Sequence, residues 1–158
     1  MNNKVNIYLD DVRTPIEGEW LIARNYDEFV SLIENHGLEN IDIISLDHDL
    51  GDTAMLEYYN NVKDNYKLEY ENIKEKTGYD CCKFLVNHSM DKNLPLPLIY
   101  VHSANPIGSA NMMGYINNYL MNRRLPQTCI RVNIPHIIEE VFKLSPEARE
   151  AKWKRTKK

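Results

Sequence analysis

Residues 41–50, IDIISLDHDL, join an apolar run to the acidic and imidazole side chains of Asp47, His48 and Asp49. An apolar run of this kind is typical of a parallel-sheet strand that is buried on both faces. The polar residues that follow it emerge at the carboxyl edge of the sheet, where open α/β folds bind ligands. The segment therefore predicts a central strand that leads directly into a functional site.

Two further apolar segments, residues 5–9 and 98–101, also end in polar side chains. These side chains are Asp10 and Asp11 after the first segment, and His102, Ser103 and Asn105 after the second. Because open α/β sheets bind ligands beyond the carboxyl ends of their parallel strands, we expect all three groups at one edge of the sheet.

The rest of the chain alternates predicted strands and helices. Short strands are predicted at 20–23 and 128–132, and helices after the cap residues Asn25, Thr77 and Asn105 and over 135–144. Asn25 with Glu28 and Thr77 with Asp80 have the spacing of reciprocal helix caps. This alternation implies right-handed crossovers, and so predicts an α/β domain with a parallel sheet.

Residues 51–76 interrupt the alternation. They are rich in Tyr, Asn, Lys and Glu and have no strong apolar face, so we interpret them as a partly helical insertion at the same end of the sheet as the carboxylates. A lid over the site is one interpretation, and a solvated excursion or a dimer contact is the other. The basic tail, residues 145–158, is interpreted as a solvated end, and residues 1–158 as one domain.

Composition restricts the class of protein. The chain has 158 residues, 43% apolar content and a net charge of −4, which indicate one globular domain without a broad nucleic-acid surface. We find no signal peptide and no membrane-spanning segment. The three cysteines lack both a disulfide framework and metal-ligand spacing, which favours a reduced, cytoplasmic protein.

Asp10, Asp11 and Asp47 are predicted to hold a divalent metal. Hard carboxylate oxygens with open coordination positions suit Mg²⁺ or Mn²⁺, and three carboxylates without a cation would repel one another. An Asp pair also occurs in turns and helix caps, and Asp49 fits either a further ligand or a cap.

His48 and His102 are the candidate proton-transfer groups, one as base and one as acid in either assignment, because imidazole exchanges protons near neutral pH. A structural role is the alternative for each of them. Ser103 is predicted to donate to a phosphate oxygen, and the helix that begins after Asn105 to point its amides at the same anion. Arg13 fits either a fork donor to phosphate or an ion pair with a local carboxylate.

Four motifs together resemble one protein family. They are LDDVRTP at 9–15, SLDHDLG at 45–51, TGYD at 77–80 and VHSANPIG at 101–108. They are similar to the cyclic-phosphate-processing receiver-like domains of bacteria and their phages, and the similarity covers the chain except the insertion and the tail. The resemblance implies a receiver-like, flavodoxin-like three-layer sandwich with five parallel strands in the order 2-1-3-4-5.

By position, the resemblance also implies roles for individual residues. Asp10 and Asp11 match the acidic metal pair of receivers, Asp47 the phosphoacceptor and Ser103 the small hydroxyl residue. The lysine that ends strand five of a signalling receiver has no counterpart in residues 128–135, TCIRVNIP, where Arg131 is the basic residue.

The leading hypothesis is a metal-dependent phosphoesterase that opens a cyclic phosphate on a nucleotide, an RNA end or an ADP-ribose derivative. Its catalytic residues would be Asp47, His48 and His102, with Arg13, Ser103, Asn105 and Asp49 at the phosphate. The nucleophile is water or Asp47.

The alternatives are a non-catalytic sensor or phage sponge for cyclic nucleotides, and a divergent phosphorelay receiver. The expected partner is a phosphorylated small molecule or RNA end in the cytoplasm, that of the host if the protein is phage-encoded, and no membrane. The oligomeric state stays open.

Overall fold

The computed structural model describes residues 3–134 and 136–138. In chain order its strands are β1 (Val5–Leu9), β2 (Arg13–Pro15), β3 (Leu21–Ala23), β4 (Ile41–Leu46), β5 (Leu98–Val101), β6 (Ile130–Arg131) and β7 (His136–Ile138). Five of them form a parallel sheet in the order β3-β1-β4-β5-β6. Because β2 lies outside this sheet, counting only the sheet's own strands gives the predicted order 2-1-3-4-5. The predicted receiver-like α/β fold is confirmed.

Three long helices follow three of these strands. In chain order the helices are α1 (Tyr26–His36), α2 (Asp52–Glu57), α3 (Lys63–Asn65), α4 (Gly78–Lys92) and α5 (Pro106–Asn122). Helix α4 packs against both α1 and α5, as right-handed crossovers between parallel strands require. None of the described helices combines the length and the apolar character needed to cross a membrane.

The main core lies between these helices and one face of the sheet. Alternate residues of the central strands contribute to it, and these are Ile7, Leu9, Ile44, Leu46, Ile99 and Val101. Side chains alternate between the two faces of a strand, so the residues between them point to the opposite face. That opposite face carries Tyr8 and Ser45, both fully buried.

The helix caps form at the predicted residues. The side chain of Asn25 accepts a hydrogen bond from the Glu28 amide, but the Glu28 carboxylate accepts from the Arg24 amide and not from that of Asn25. The reciprocal cap predicted at Thr77 is complete, with Asp80 accepting from the Thr77 amide. Local side-chain chemistry therefore places the beginnings of α1 and α4.

The predicted helix over 135–144 is wrong where the structure describes it. Residues His136–Ile138 form β7, which pairs antiparallel with β2. This pairing provides hydrogen-bond partners for the backbone donors and acceptors of β2, which lies outside the main sheet. The two isoleucines of β7 also favour an extended chain. The rest of that helix and the predicted tail lie outside the described residues.

The insertion folds around the buried carboxylate of Glu57. It contains α2, a π-helical turn (Tyr58–Val62), α3 and a 3₁₀ turn (Tyr70–Asn72). Glu57 accepts hydrogen bonds from the side chains of Asn61 and Asn72 and from the Glu69 amide. The expected lack of an apolar face is only partly correct, since Met55 and Val62 are fully buried.

Gly78 joins α4 to the end of β4, and its missing side chain makes this contact possible. Its amide donates to the His48 carbonyl at 2.9 Å, and a Cβ at Gly78 would lie 2.0 Å from the Asp47 carbonyl oxygen. No side chain can occupy that space unless the backbone moves.

We predict that Gly78→Ala lowers the free energy of unfolding by about 1–3 kcal/mol, the usual cost of overpacking. Gly114→Ala is the matched control, because nothing lies within 4 Å of a Cβ there. It should raise the stability by about 0.5–1 kcal/mol, since glycine is unfavourable inside a helix. Urea unfolding measures both, and equal stability of the two variants would contradict the prediction.

Candidate functional site

The register of the central strands aligns the site. Tyr8 of β1 is the partner of Ser45 in β4, and Ser45 is the partner of Tyr100 in β5. The residues two positions further along these strands are Asp10, Asp47 and His102. Because side chains repeat every second residue, these three side chains emerge on the same side of the sheet.

The amides of Asp47 and His102 extend the sheet's hydrogen bonding by one residue. They donate to the carbonyls of Leu9 and Leu46, each at 2.9 Å. The two side chains are thus held by strand pairing and not by a mobile loop.

Asp10, Asp11 and Asp47 form a buried acidic cluster. Each offers a carboxylate oxygen, and the three oxygens lie within 4.8 Å of one another. Asp10 and Asp47 are 0% exposed and Asp11 is 9% exposed. Such a set of hard oxygen donors could hold a divalent metal ion, so the residues predicted to hold a metal do come together.

Arg13 is the counter-ion of this cluster. Its Nε lies 2.6 Å from Asp10 Oδ2 and its Nη2 lies 3.3 Å from Asp47 Oδ2. Burial opposes the charge on the guanidinium, but Asp10 and Asp47 outweigh it and raise the pKa of Arg13. Of the two interpretations of Arg13, the local ion pair is the one that the structure contains.

The other oxygen of Asp10 shapes the loop that presents Arg13. Asp10 Oδ1 accepts hydrogen bonds from the amides of Val12 and Arg13, at 3.0 and 2.8 Å. The guanidinium of Arg24 donates to the carbonyls of Asp10 and Arg13. Arg24, which lies just after β3, was not among the predicted site residues.

His102 lies deep beneath the cluster. Its Nε2 is 3.2 Å from Asp10 Oδ2, its Nδ1 is 2.8 Å from Ser45 Oγ, and its ring stacks on Tyr8 with the centroids 4.2 Å apart. Burial lowers the pKa of His102, although Asp10 opposes the shift. In the neutral ring Nε2–H donates to Asp10 and Nδ1 accepts from Ser45. His102 therefore orients Asp10.

His48 belongs to a second network. Its Nδ1 lies 2.6 Å from Asp49 Oδ1, and its Nε2 lies 3.0 Å from the Tyr70 hydroxyl. Asp49 also accepts a hydrogen bond from the Asn105 side chain, and the Tyr70 hydroxyl accepts one from Asn111. A carboxylate, an imidazole and a phenol are thus connected in series, and burial raises the pKa of that phenol.

The first turn of α5 closes over the His48 ring. A Cβ at Gly108 would lie 2.4 Å from the His48 ring, so this glycine lets α5 approach the imidazole. The Asn105 side chain accepts from the Gly108 amide at 2.9 Å. Asn105 is therefore the helix cap, and its predicted contact with phosphate would have to share that role.

Ser103 keeps its hydroxyl proton available. Its Oγ accepts a hydrogen bond from the Asn105 amide at 3.1 Å, and no residue in the described part of the chain accepts one from this hydroxyl. Its carbonyl accepts two hydrogen bonds from the Arg131 guanidinium, at 3.0 and 2.8 Å. Arg131 thus points toward the site, where it anchors the backbone of Ser103.

The structure divides the predicted site residues into two groups. The group around the carboxylates contains Asp10, Asp11, Arg13, Asp47 and His102. The group at the start of α5 contains His48, Asp49, Ser103 and Asn105. Tyr70, Ser45 and Tyr8 also belong to the site and were not predicted. Ser45 lies inside the SLDHDLG motif, whereas no local pattern distinguishes Tyr70 from the other tyrosines of the insertion.

The parallel sheet with carboxylates at its carboxyl edge defines a receiver-like domain. The model of the family described as "Cyclic-phosphate processing Receiver domain" matches residues 5–118, which is more than half of the chain. The protein belongs to this family. Searches of curated proteins and of solved structures find no significant match.

We predict that Arg13→Gln lowers the free energy of unfolding by about 3–5 kcal/mol in metal-free buffer. This is the usual cost of removing one partner from a buried ion pair, since the carboxylates of Asp10 and Asp47 lose their counter-ion. Arg123→Gln, at an exposed position, removes the same charge and should change stability by no more than about 0.5 kcal/mol. Urea unfolding in EDTA tests this, and equal effects of the two substitutions would refute the counter-ion role.

Proposed function

We propose that the protein is a metal-dependent phosphoesterase that opens a cyclic phosphate on a nucleotide, an RNA end or an ADP-ribose derivative. The observation that supports it best is the buried cluster of Asp10, Asp11 and Asp47 in a member of a cyclic-phosphate-processing family. Arg13 offsets one of the three negative charges, and the repulsion that is left between like charges in a buried site favours binding of a cation.

Asp10, Asp11 and Asp47 would hold a divalent cation such as Mg²⁺. With all three carboxylates ionised, these residues and Arg13 carry a formal charge of −2, which a divalent cation neutralises. The cation would supply charge stabilisation to the phosphate oxygens and make phosphorus more electrophilic. Arg13 competes with it for the carboxylates of Asp10 and Asp47.

Ser103 would donate a hydrogen bond to a phosphate oxygen. Its hydroxyl has a proton to donate, and Arg131 fixes its backbone through two hydrogen bonds to one carbonyl. The serine therefore offers a donor whose position is set in advance, as oxyanion stabilisation requires.

His48 is the general base in this proposal. Asp49 fixes Nδ1, so the ring exchanges protons only through Nε2, where the Tyr70 hydroxyl now lies. Tyr70 must move aside or relay the proton. His48 takes a proton from the attacking water, the water oxygen bonds to phosphorus, one P–O bond of the ring breaks, and the leaving ribose oxygen takes a proton from solvent.

Water is a better nucleophile here than Asp47. One oxygen of Asp47 accepts a hydrogen bond from the His48 amide at 2.8 Å, and the other faces the Arg13 guanidinium. Both contacts draw electron density from the carboxylate and hold it away from an incoming phosphorus. His102, predicted from sequence to be catalytic, is assigned the role of positioning Asp10.

A binding protein without catalysis is the second candidate. All four ring nitrogens of His48 and His102 have hydrogen-bond partners within the protein. This favours binding without catalysis, because neither imidazole has a nitrogen open to a substrate. A phosphorelay receiver is less well supported, since Arg131 is engaged with Ser103 where a signalling receiver has a free lysine. Recovery of an intact cyclic nucleotide after tight binding would favour the sensor or sponge.

We predict that the protein with Mg²⁺ hydrolyses 2′,3′-cyclic AMP and that EDTA abolishes the activity. His48→Gln should lower kcat by about 100-fold or more, because a general base contributes that much. His102→Gln should raise the Mg²⁺ concentration needed for half-maximal activity. Its kcat at saturating Mg²⁺ should stay within about tenfold of wild type, because the His102 imidazole acts only through Asp10. Chromatographic product analysis measures both.

His36→Gln is the control, because His36 lies at the end of α1, away from the site. It should leave kcat and the Mg²⁺ dependence unchanged. The proposal fails if wild-type protein releases no product at any Mg²⁺ concentration, or if His48→Gln reacts as fast as the control.

A further inference from the structure

A cavity of about 270 Å³ lies between the insertion and the first turns of α4. The 3₁₀ turn and the segment after it form one wall, and α4 forms the other. The lining residues that matter here are Tyr70, Lys74, Lys76, Thr77, Tyr79 and Lys83. Sites that enclose a whole drug-sized ligand measure about 300–1,000 Å³, so this cavity suits one part of a larger ligand.

The cavity is basic although the chain as a whole is acidic. Lys74, Lys76 and Lys83 line it, and none of them forms an ion pair with a residue that the structure describes. The ammonium of Lys76 lies 4.3 Å from the Tyr26 ring centroid, and that of Lys83 lies 4.7 Å from the Tyr79 ring centroid. Tyr79 lines the cavity, so its contact holds the charge of Lys83 at the cavity wall, and neither aromatic contact neutralises its ammonium.

Two carboxylates in the lining are used elsewhere. Glu75 accepts hydrogen bonds from the Thr53 hydroxyl and the Ala54 amide, which tie the insertion to the start of α2. Asp80 accepts from the Thr77 amide as part of the helix cap. Three lysines and two carboxylates thus line the cavity, which leaves an excess of positive charge for an anion. Both carboxylates already accept hydrogen bonds from other groups.

Tyr70 connects this cavity to the His48 network. Its ring stacks on Tyr79 with the centroids 5.3 Å apart, and its hydroxyl lies 3.0 Å from His48 Nε2. A ligand in the cavity would touch the residue that covers the proposed general base. The cavity is thus adjacent to the candidate site and is not part of the carboxylate cluster.

We propose that this lysine-lined cavity binds a phosphate group of a nucleotide ligand, next to the position where the cyclic phosphate reacts. The inference rests on the proposed function for the class of ligand, but it concerns binding alone. A second phosphate of an oligonucleotide or dinucleotide would fit the charge and size of the cavity. The insertion would then serve as a specificity element, because it supplies Tyr70 and two of the three lysines.

Calorimetry with 3′-AMP in EDTA tests this inference without any turnover. EDTA removes divalent cations, so the carboxylate cluster cannot attract the phosphate. We expect 3′-AMP to bind more tightly than adenosine, and Lys74→Gln with Lys83→Gln to weaken binding by about tenfold, as expected for loss of charge-assisted contacts. Lys63→Gln with Lys67→Gln removes the same charge from exposed positions of the insertion and should change binding by less than about twofold.

The inference is overturned if 3′-AMP produces no binding heat, if adenosine binds equally well, or if both double variants weaken binding alike. Thermal unfolding of each variant verifies that its fold is intact. Hydrolysis of 2′,3′-cyclic AMP without 3′-AMP binding in the cavity would refute this inference alone. Binding without hydrolysis would refute the phosphoesterase alone.

Discussion

The ion pairs of Arg13 with Asp10 and Asp47 determine how this domain tolerates a buried acidic cluster. Parallel strands bring their carboxyl ends together, so acidic residues at the ends of β1 and β4 necessarily meet. Their repulsion inside the protein requires a positive charge, and Arg13, 5% exposed, supplies it from the same loop. The cluster is then stable before any ligand arrives. A divalent cation would have to compete with a side chain that the protein already holds in place.

The alternation of side chains along the strands separates the two histidines. His102 shares the face of Asp10 and Asp47, and so it supports the carboxylates from below. His48 comes one residue after Asp47 and joins Asp49 and Tyr70 in a different network. The two imidazoles therefore have no hydrogen-bond partner in common. His48 Nε2 contacts the Tyr70 hydroxyl of the insertion, which can move aside or relay a proton, whereas both nitrogens of His102 contact Ser45 and Asp10. His48, and not His102, is therefore assigned the proton transfer.

Most of the strands and helix beginnings, and part of the site, were predictable from sequence, because the signals that determine them are local. Apolar runs fixed β1, β4 and β5, and cap residues fixed the beginnings of α1, α4 and α5. Period-two alternation also predicts that His102 shares the side of Asp10 and Asp47 and that His48 does not, but it does not predict the partners of Asp11 and Asp49. The hydrogen bond of Tyr70 to His48 and the pairing of β7 with β2 were not predictable, because both join segments far apart in sequence. Their partners are chosen by tertiary packing.

Nitrogen NMR of the Arg13 side chain during a Mg²⁺ titration tests most directly whether the cation and Arg13 compete for the same carboxylates. In metal-free protein its buried Nε–H, bonded to Asp10, should exchange slowly with water. We expect Mg²⁺ to shift this signal in one saturable step, and Asp47→Asn to weaken the response. An Arg13 signal that stays unchanged while Mg²⁺ binds would contradict competition for the same carboxylates.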